Sequence, residues 1–216
     1  MKIKIISRST TKELIDQVRK VPLLEDKDVF VYKDSNISIK DFYADELNIP
    51  KLTFIKSNLG RIKRLRENFL DQHKLDILQL DSILTYRDEK RKVWTMIPPI
   101  VELVTKNVNY IPRNKKELDP DREFKDIRMT VLGDGAHRGY VARELGLRLK
   151  VIFVSGADPN YPYYAYPNDW SEAEIVSSAE SKSKRKFFVW EDKYKLYRNF
   201  GAISTGGVRK AGSTGY

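Results

Sequence analysis

The chain has 216 residues with 40 basic and 30 acidic side chains, a net charge of +10, 41% hydrophobic residues, two histidines and no cysteine. That length buries one good core, or one domain with a smaller partner, and the missing cysteines exclude disulfides, zinc ribbons, thiol nucleophiles and iron–sulfur clusters. His73 and His137 alone supply too few ligands for a histidine-built metal centre, and the positive charge favours an anionic partner such as nucleic acid, a nucleotide or a phosphorylated metabolite.

The opening "MKIKIISRSTTKE" is too short and too charged for a signal segment, and no apolar run of about 18 residues follows. The expectation is a soluble, cytoplasmic protein with no membrane contact. Apolar alternation at Ile3 and Ile5 gives way to helical spacing at Leu14, Ile15 and Val18, with Thr10 or Thr11 as the cap, so a strand leads into a helix. "DVFVYKDSNISI" reads as a hairpin turning at Asp34-Ser35-Asn36, and "KLTFI" as a short strand. From Leu59 a helix places Ile62, Leu65, Phe69 and Leu70 on one face and Arg61, Lys63, Arg64 and Arg66 on the other. Residues 1–74 thus form a small N-terminal α/β unit.

A second unit covers residues 75–200. In "VWTMIPPIVELV" the Pro98-Pro99 pair suits the start of an edge strand, and "NYIPRNKKELDPDREFKD" reads as a surface loop. The strand "IRMTVLG", a helix from about Gly135 to Leu145 and the strand "LKVIFV" then suggest a small right-handed crossover. An aromatic, proline-rich loop precedes a capped helix near Trp170, and "KSKRKFFVW" and "EDKYKLYRNF" give a further strand and helix. Five glycines among residues 201–216 make a flexible tail, and no repeat or heptad array occurs.

The stretch "VLGDGAHRGYVARELG", residues 131–146, carries the chemistry. Gly133 and Gly135 permit a sharp turn and close backbone approach at a helix start, where exposed amides and the helix dipole favour a phosphate. Arg138 offers a forked guanidinium and His137 a donor, while Asp134 suits a Mg²⁺ ion, a hydroxyl or the helix cap. Ala136, Tyr140, Val141 and Leu145 fall on one face and read as core; Arg143 and Glu144 read as solvated. The plain alternative is a strand-to-helix turn with Asp134 as its cap and His137 exposed.

The succession "MIPPIVELV", a strand, "GDGAHRGYVARELG" and "LKVIFV" resembles the ParB/sulfiredoxin superfamily over roughly Leu75 to Val154. The resemblance implies an α/β (α+β) fold, a mixed sheet with flanking helices, and a nucleotide turn at Gly133, Gly135, Ala136, His137 and Arg138. Sulfiredoxins have a cysteine directly before the His-Arg pair, where this chain has Ala136, so their chemistry is excluded. ParB proteins bind CTP through the equivalent turn and clamp DNA with further domains; here no convincing helix-turn-helix follows. Free serine kinases, whose turn reads Asp-Gly-His-His-Arg, match at Asp134, Gly135, His137 and Arg138 and depart at Ala136. That likeness implies ATP or ADP (or CTP), Mg²⁺ brought with the nucleotide, and a catalytic carboxylate near "LQLDSILTYRDEK", namely Glu89 by preference and Asp88 next.

Two functions follow as expectations. In the first, a kinase acts on the hydroxyl of a small serine-like metabolite: the turn holds the phosphates, His137 and Arg138 stabilise the transferred group, Glu89 or Asp88 takes the proton, and Asp134 binds the metal or orients the acceptor. Tyr163, Tyr164, Tyr166 and Trp170 would wall the substrate. The alternative is a ParB-like DNA-binding, nuclease-like or nucleotide-binding regulatory protein, drawing on the net charge and the basic helix face. Asp88 and Glu89 also fit a solvated charge run, as do Lys182, Lys184, Arg185 and Lys186.

Overall fold

Leu14 and Val18 are fully buried one helical turn apart, and they dock the first helix onto a sheet whose strands come from both halves of the chain. The computed structural model describes residues 2–106, 127–165, 167–177 and 193–203. Strand β1 (Lys4–Arg8) leads to α1 (Thr11–Arg19), whose cap Thr10 accepts from the Glu13 amide while Glu13 accepts from the Thr10 amide. This reciprocal cap satisfies two otherwise orphaned donors. Next come β2 (Asn36–Tyr43), β3 (Thr53–Ile55) and the long helix α2 (Lys56–His73). The second half supplies β4 (Leu84–Arg87), β5 (Val93–Met96), β6 (Ile100–Lys106), β7 (Ile127–Asp134), α3 (Ala136–Glu144), β8 (Arg148–Ser155) and β9 (Glu174–Val176).

These strands form a three-stranded sheet in the order β1-β4-β5, a four-stranded mixed sheet in the order β2-β8-β6-β7, and the parallel pair β3-β9. The fold is mixed α/β of the α+β kind, as the sequence implied. Position 74 is the left-handed C-cap of α2, and ladders join the residues on either side of it: β1 pairs with β4, and β2 pairs along its whole length with β8. One apolar cluster lies between the mixed sheet and α2 and α3, and contains Phe54, Leu59, Val101, Leu132, Val141, Val151 and Trp170. Another joins α1 to the same sheet through Leu14, Val18, Ile100, Ile152 and Val154.

Several local expectations are corrected. The hairpin across residues 28–39 does not form. Val31 and Tyr32 are both buried in succession, which an alternating strand cannot achieve, and turns close from Lys33 to Phe30 and from Ser35 to Tyr32. Only Asn36 onward is strand, and its partner is β8. Pro98-Pro99 precede an interior strand, since β6 lies between β7 and β8; the prolines sit just before the ladder begins at Ile100, so no ladder N–H is lost. The unit β7-α3-β8 is no parallel crossover. β7 runs antiparallel to β6 and β8 parallel to it, with β6 between them.

The residues from Trp170 make a single 3-10 turn, Trp170–Glu172, and then enter β9 instead of a longer helix. Lys193–Leu196 and Phe200–Ala202 are likewise 3-10 turns, so residues 193–203 contain no full helix. The loop of residues 109–126, "KSKRKFFVW" and residues 204–216 lie outside the described residues.

Candidate functional site

The β6–β7 ladder slips by one residue at its end: Val101 faces Leu132 and Ile100 faces Asp134, which leaves Gly133 as the bulge. A Cβ on Gly133 would stand 3.2 Å from the Tyr163 hydroxyl, so the aromatic ring occupies the space a side chain would need. Gly135 follows at φ +80°, the left-handed region, and its Cβ would lie 2.7 Å from Cβ of Pro99. Glycine is thus required there twice over, by dihedral and by contact with the prolines that lead into β6.

From Gly135 the chain enters α3, with the amides of Arg138 and Gly139 both returning to the Gly135 carbonyl. The helix has no side-chain cap at Gly135 and no acidic residue in its first turn. The positive end of the helix is therefore not neutralised within its own first turn. His137 lies half-buried there, edge-on to Phe54 at 5.6 Å between ring centroids, and its Nε2 is 3.2 Å from Nζ of Lys51. An ammonium only donates, so Nε2 is the atom of the ring that can accept from Lys51. Lys51, just before β3, also lies over the Phe54 ring at 5.4 Å. It is a cation at the turn that sequence reasoning missed; it stands two residues before the fully buried strand β3, with no local signal of its role.

The other expected residues are placed as follows. Arg138 points inward: it is buried, and its Nη1 donates to the Ile97 carbonyl at 2.5 Å. Burial holds its pKa below the ordinary arginine value, while the nearby Asp134 and Tyr86 act in the opposite sense. Arg138 therefore ties α3 to the Ile97-Pro98-Pro99 segment and does not present its fork at the surface. The core face of α3 is accordingly Arg138, Gly139, Val141 and Ala142, with Ala136 and Tyr140 partly buried against it; Leu145, expected in the core, is exposed. Arg143 and Glu144 pair at the surface with Asp45 and Lys63.

Tyr163 is buried, stacked on Tyr164 at 4.8 Å and lying beneath the Arg198 guanidinium. Trp170 is buried as well; its Nε1 donates to the Ala44 carbonyl at 2.7 Å, and its ring lies against Gly139 of α3. Both shape the floor of the turn from inside. Tyr166 lies outside the described residues. Asp88 and Glu89 sit in the β4–β5 turn. Asp88 accepts from the Lys92 amide and from Nε1 of Trp94 at 2.9 Å each, and the Trp94 bond above all holds its carboxyl below the usual range. Glu89 accepts from the Lys2 amide at 3.3 Å. Among the described residues no group of three or more His, Asp or Glu is arranged to hold a metal ion.

A family model described as the ParB CE domain matches residues 13–114 and 117–176. The chain belongs to the ParB CE domain family. No curated protein and no solved structure matches it. The match extends well before the region from Leu75 that carried the resemblance, so β2, β3 and α2 are part of what defines this ParB-like chain. Among the described residues no helix is long and apolar enough to cross a membrane.

A second polar cluster of the ParB-like chain lies inside the core behind the turn. Glu102 on β6 accepts from Arg198 Nη2 at 3.0 Å and from the Tyr32 hydroxyl at 2.7 Å. Arg198 also donates to the carbonyls of Tyr161, Pro162 and Leu196. Burial first, and the Glu102 charge second, push the Tyr32 hydroxyl well above the ordinary tyrosine range. Nothing in the local sequence marks Glu102 as a buried acid, because "VELV" also suits a strand with one solvated position.

Proposed function

We propose that the protein is a ParB-like nucleotide-binding protein that acts on nucleic acid, with the β7–α3 turn as its phosphate site. The observation that carries this reading is the joint position of Lys51 and His137 at the start of α3, whose first turn has no side-chain cap and no acid. A helix N-terminus with two convergent cationic or donor side chains suits a polyphosphate. In this reading the amides after Gly135, the Lys51 ammonium and the His137 ring hold the phosphates, and Gly133 and Gly135 let the chain approach them. Arg138 keeps the turn in place from below, and Asp134, at the end of β7 beside Arg138, would be the carboxylate that receives Mg²⁺ carried with the nucleotide. The net charge of +10 supports a nucleic-acid partner.

Phosphoryl transfer to a serine-like alcohol is the less supported reading. The Asp-Gly-x-His-Arg turn favours it, but it also needs a free carboxylate base. Asp88 is engaged by Trp94 and Lys92, and Glu89 stands at the tip of a hairpin.

The test is thermal shift and calorimetric titration with ATP, CTP and their diphosphates, each with Mg²⁺, on the wild type and His137→Ala. Binding should raise Tm with concentration in the wild type, and the variant should lose most of the shift. No shift with any nucleotide would refute the site. ADP release on adding serine-like alcohols, abolished by Glu89→Gln, would reverse the ranking of the two readings.

A further inference from the structure

We propose that the outer face of the β1-β4-β5 sheet is the surface that takes the phosphate backbone of nucleic acid. The proposal rests on the nucleic-acid part of the functional reading and is independent of the nucleotide turn. The inner face of this sheet is committed to core: Ile5, Leu84, Tyr86, Trp94 and Met96 meet Phe69, Ile77 and Leu80. The register puts two rows on the opposite face, Lys4–Arg87–Val93 and Ser7–Thr85–Thr95, with Ile6 exposed at the bulge between them. Neither row contains a carboxylate, and Lys4, Ser7, Arg87 and Val93 are exposed.

Lys4 and Arg87 are directly opposite one another across an antiparallel ladder, an arrangement in which like charges destabilise a sheet. Among the described residues neither side chain has an ion pair or hydrogen bond. Four surface cations are matched, Arg8 with Asp81, Lys63 with Glu144, Arg66 with Asp76 and Arg143 with Asp45. On α2, Lys63 and Arg66 have carboxylate partners and Arg61 and Arg64 remain, so what sets the sheet row apart is the direct opposition of Lys4 and Arg87 across the ladder.

The adjoining β4–β5 turn adds Lys90 and Arg91, the latter held at φ +63°. Residues 2–8 and 84–96 together carry seven basic and two acidic side chains, and one of those two, Asp88, is tied to Trp94. An uncompensated cation row flanked by the Ser7, Thr85 and Thr95 hydroxyls is the donor set that contacts phosphate and sugar oxygens. No aromatic ring lies on this face, because Tyr86 and Trp94 both turn to the core. Base stacking is thus absent, and the contact is to the backbone and independent of sequence.

The experiment measures binding of fluorescein-labelled duplexes of two unrelated sequences across a salt series, without nucleotide. It compares the wild type with Lys4→Thr/Arg87→Thr, with Arg61→Ala/Arg64→Ala on α2, and with His137→Ala. The sheet variant should bind both duplexes about ten-fold or more weakly, with a log–log salt slope smaller by about two. Its Tm should be unchanged or higher by about 1–2 °C, because the cross-strand repulsion is relieved; a merely structural role would lower Tm instead.

His137→Ala should keep the wild-type salt slope, so failure of the nucleotide site and failure of this surface are read separately. The proposal is overturned if the wild type does not bind the duplexes, if the α2 variant loses as much as the sheet variant, or if the sheet variant keeps wild-type affinity. It is also overturned if anionic phosphatidylserine vesicles, and not DNA, show the Lys4/Arg87 dependence.

Discussion

Arg198 and Glu102 form an ion pair at 3.0 Å inside the core, with side-chain exposures of 1% and 5%. Glu102 lies two residues into β6, opposite Val131, so the pair anchors residues 193–203 to the strand that pairs with β7, which leads into the candidate site. A charge left alone in such a place is costly, because neither water nor a partner replaces the lost contact. Glu102→Gln and Arg198→Met should each cost about 3–5 kcal/mol of stability, read as a fall in Tm of roughly 10 °C. The double variant should lose less than the sum of the two. Additive losses in urea denaturation would show that the two side chains act independently.

Tyr86 predicts a specific alkaline limb of stability. It lies on the core side of β4, and burial, aided by the charge on Asp88, pushes its hydroxyl up to about 12. A tyrosine is neutral when protonated, and the unfolded chain ionises it near 10. Below that value both states carry the proton and the contribution is fully present; between about pH 10 and 12 the unfolded state ionises first and stability falls. Tyr86→Phe should remove this part of the loss, at most about 3 kcal/mol, while leaving whatever Tyr32 and Tyr163 contribute. Identical alkaline denaturation curves for the two proteins would refute the assignment.

The Gly135 position couples dihedral strain to a steric stop. Gly135→Ala must hold an L-residue at φ +80° and place a methyl carbon 2.7 Å from Pro99. Left-handed strain alone costs about 1–2 kcal/mol, and displacement of the proline adds to it. The expected outcome is a stability loss of about 2–3 kcal/mol together with loss of nucleotide-induced Tm shift. Gly146→Ala, at φ +64° but with open space around it, should show the dihedral cost alone and keep the shift. Equal effects of the two substitutions on ligand binding would mean that the turn is not the site.

These contrasts also show what the sequence made legible. The periodicities that marked α1, α2, α3 and β8 were local, and each element appears within a few residues of its expected bounds. The glycines of the turn were legible for the same reason, since a left-handed residue before a helix is a local demand. What failed was set by distant partners. Val31 and Tyr32 resemble a strand until the buried contact from Tyr32 to Glu102 is known, and Arg138 resembles a phosphate fork until the Ile97 carbonyl is found beneath it. The prolines at 98 and 99 suggested an edge, yet β6 became central because β7 and β8 both dock on residues beyond them. Lys51 was invisible because it is 86 residues from His137.

That Lys51–His137 contact gives the most direct prediction for the candidate site. In the absence of ligand the Lys51 ammonium lies 3.2 Å from Nε2 of His137. A phosphate oxygen arriving at the start of α3 offers a better acceptor to both, so the two side chains turn toward it and no longer toward each other. A charge-assisted hydrogen bond contributes about 1.5–3 kcal/mol, so Lys51→Met should weaken nucleoside triphosphate binding roughly 10- to 100-fold. The ligand-free Tm should change little, since the hydrogen bond to His137 is only part-buried and the Phe54 ring lies 5.4 Å away. His137→Gln keeps a donor at the turn and should be milder than His137→Ala. Because both residues address one phosphate, Lys51→Met combined with His137→Ala should lose less affinity than the product of the single effects. Calorimetric Kd values for the four proteins decide it: an unchanged Kd in Lys51→Met would remove the ammonium from the site, and strict additivity would place the two side chains on different groups of the ligand.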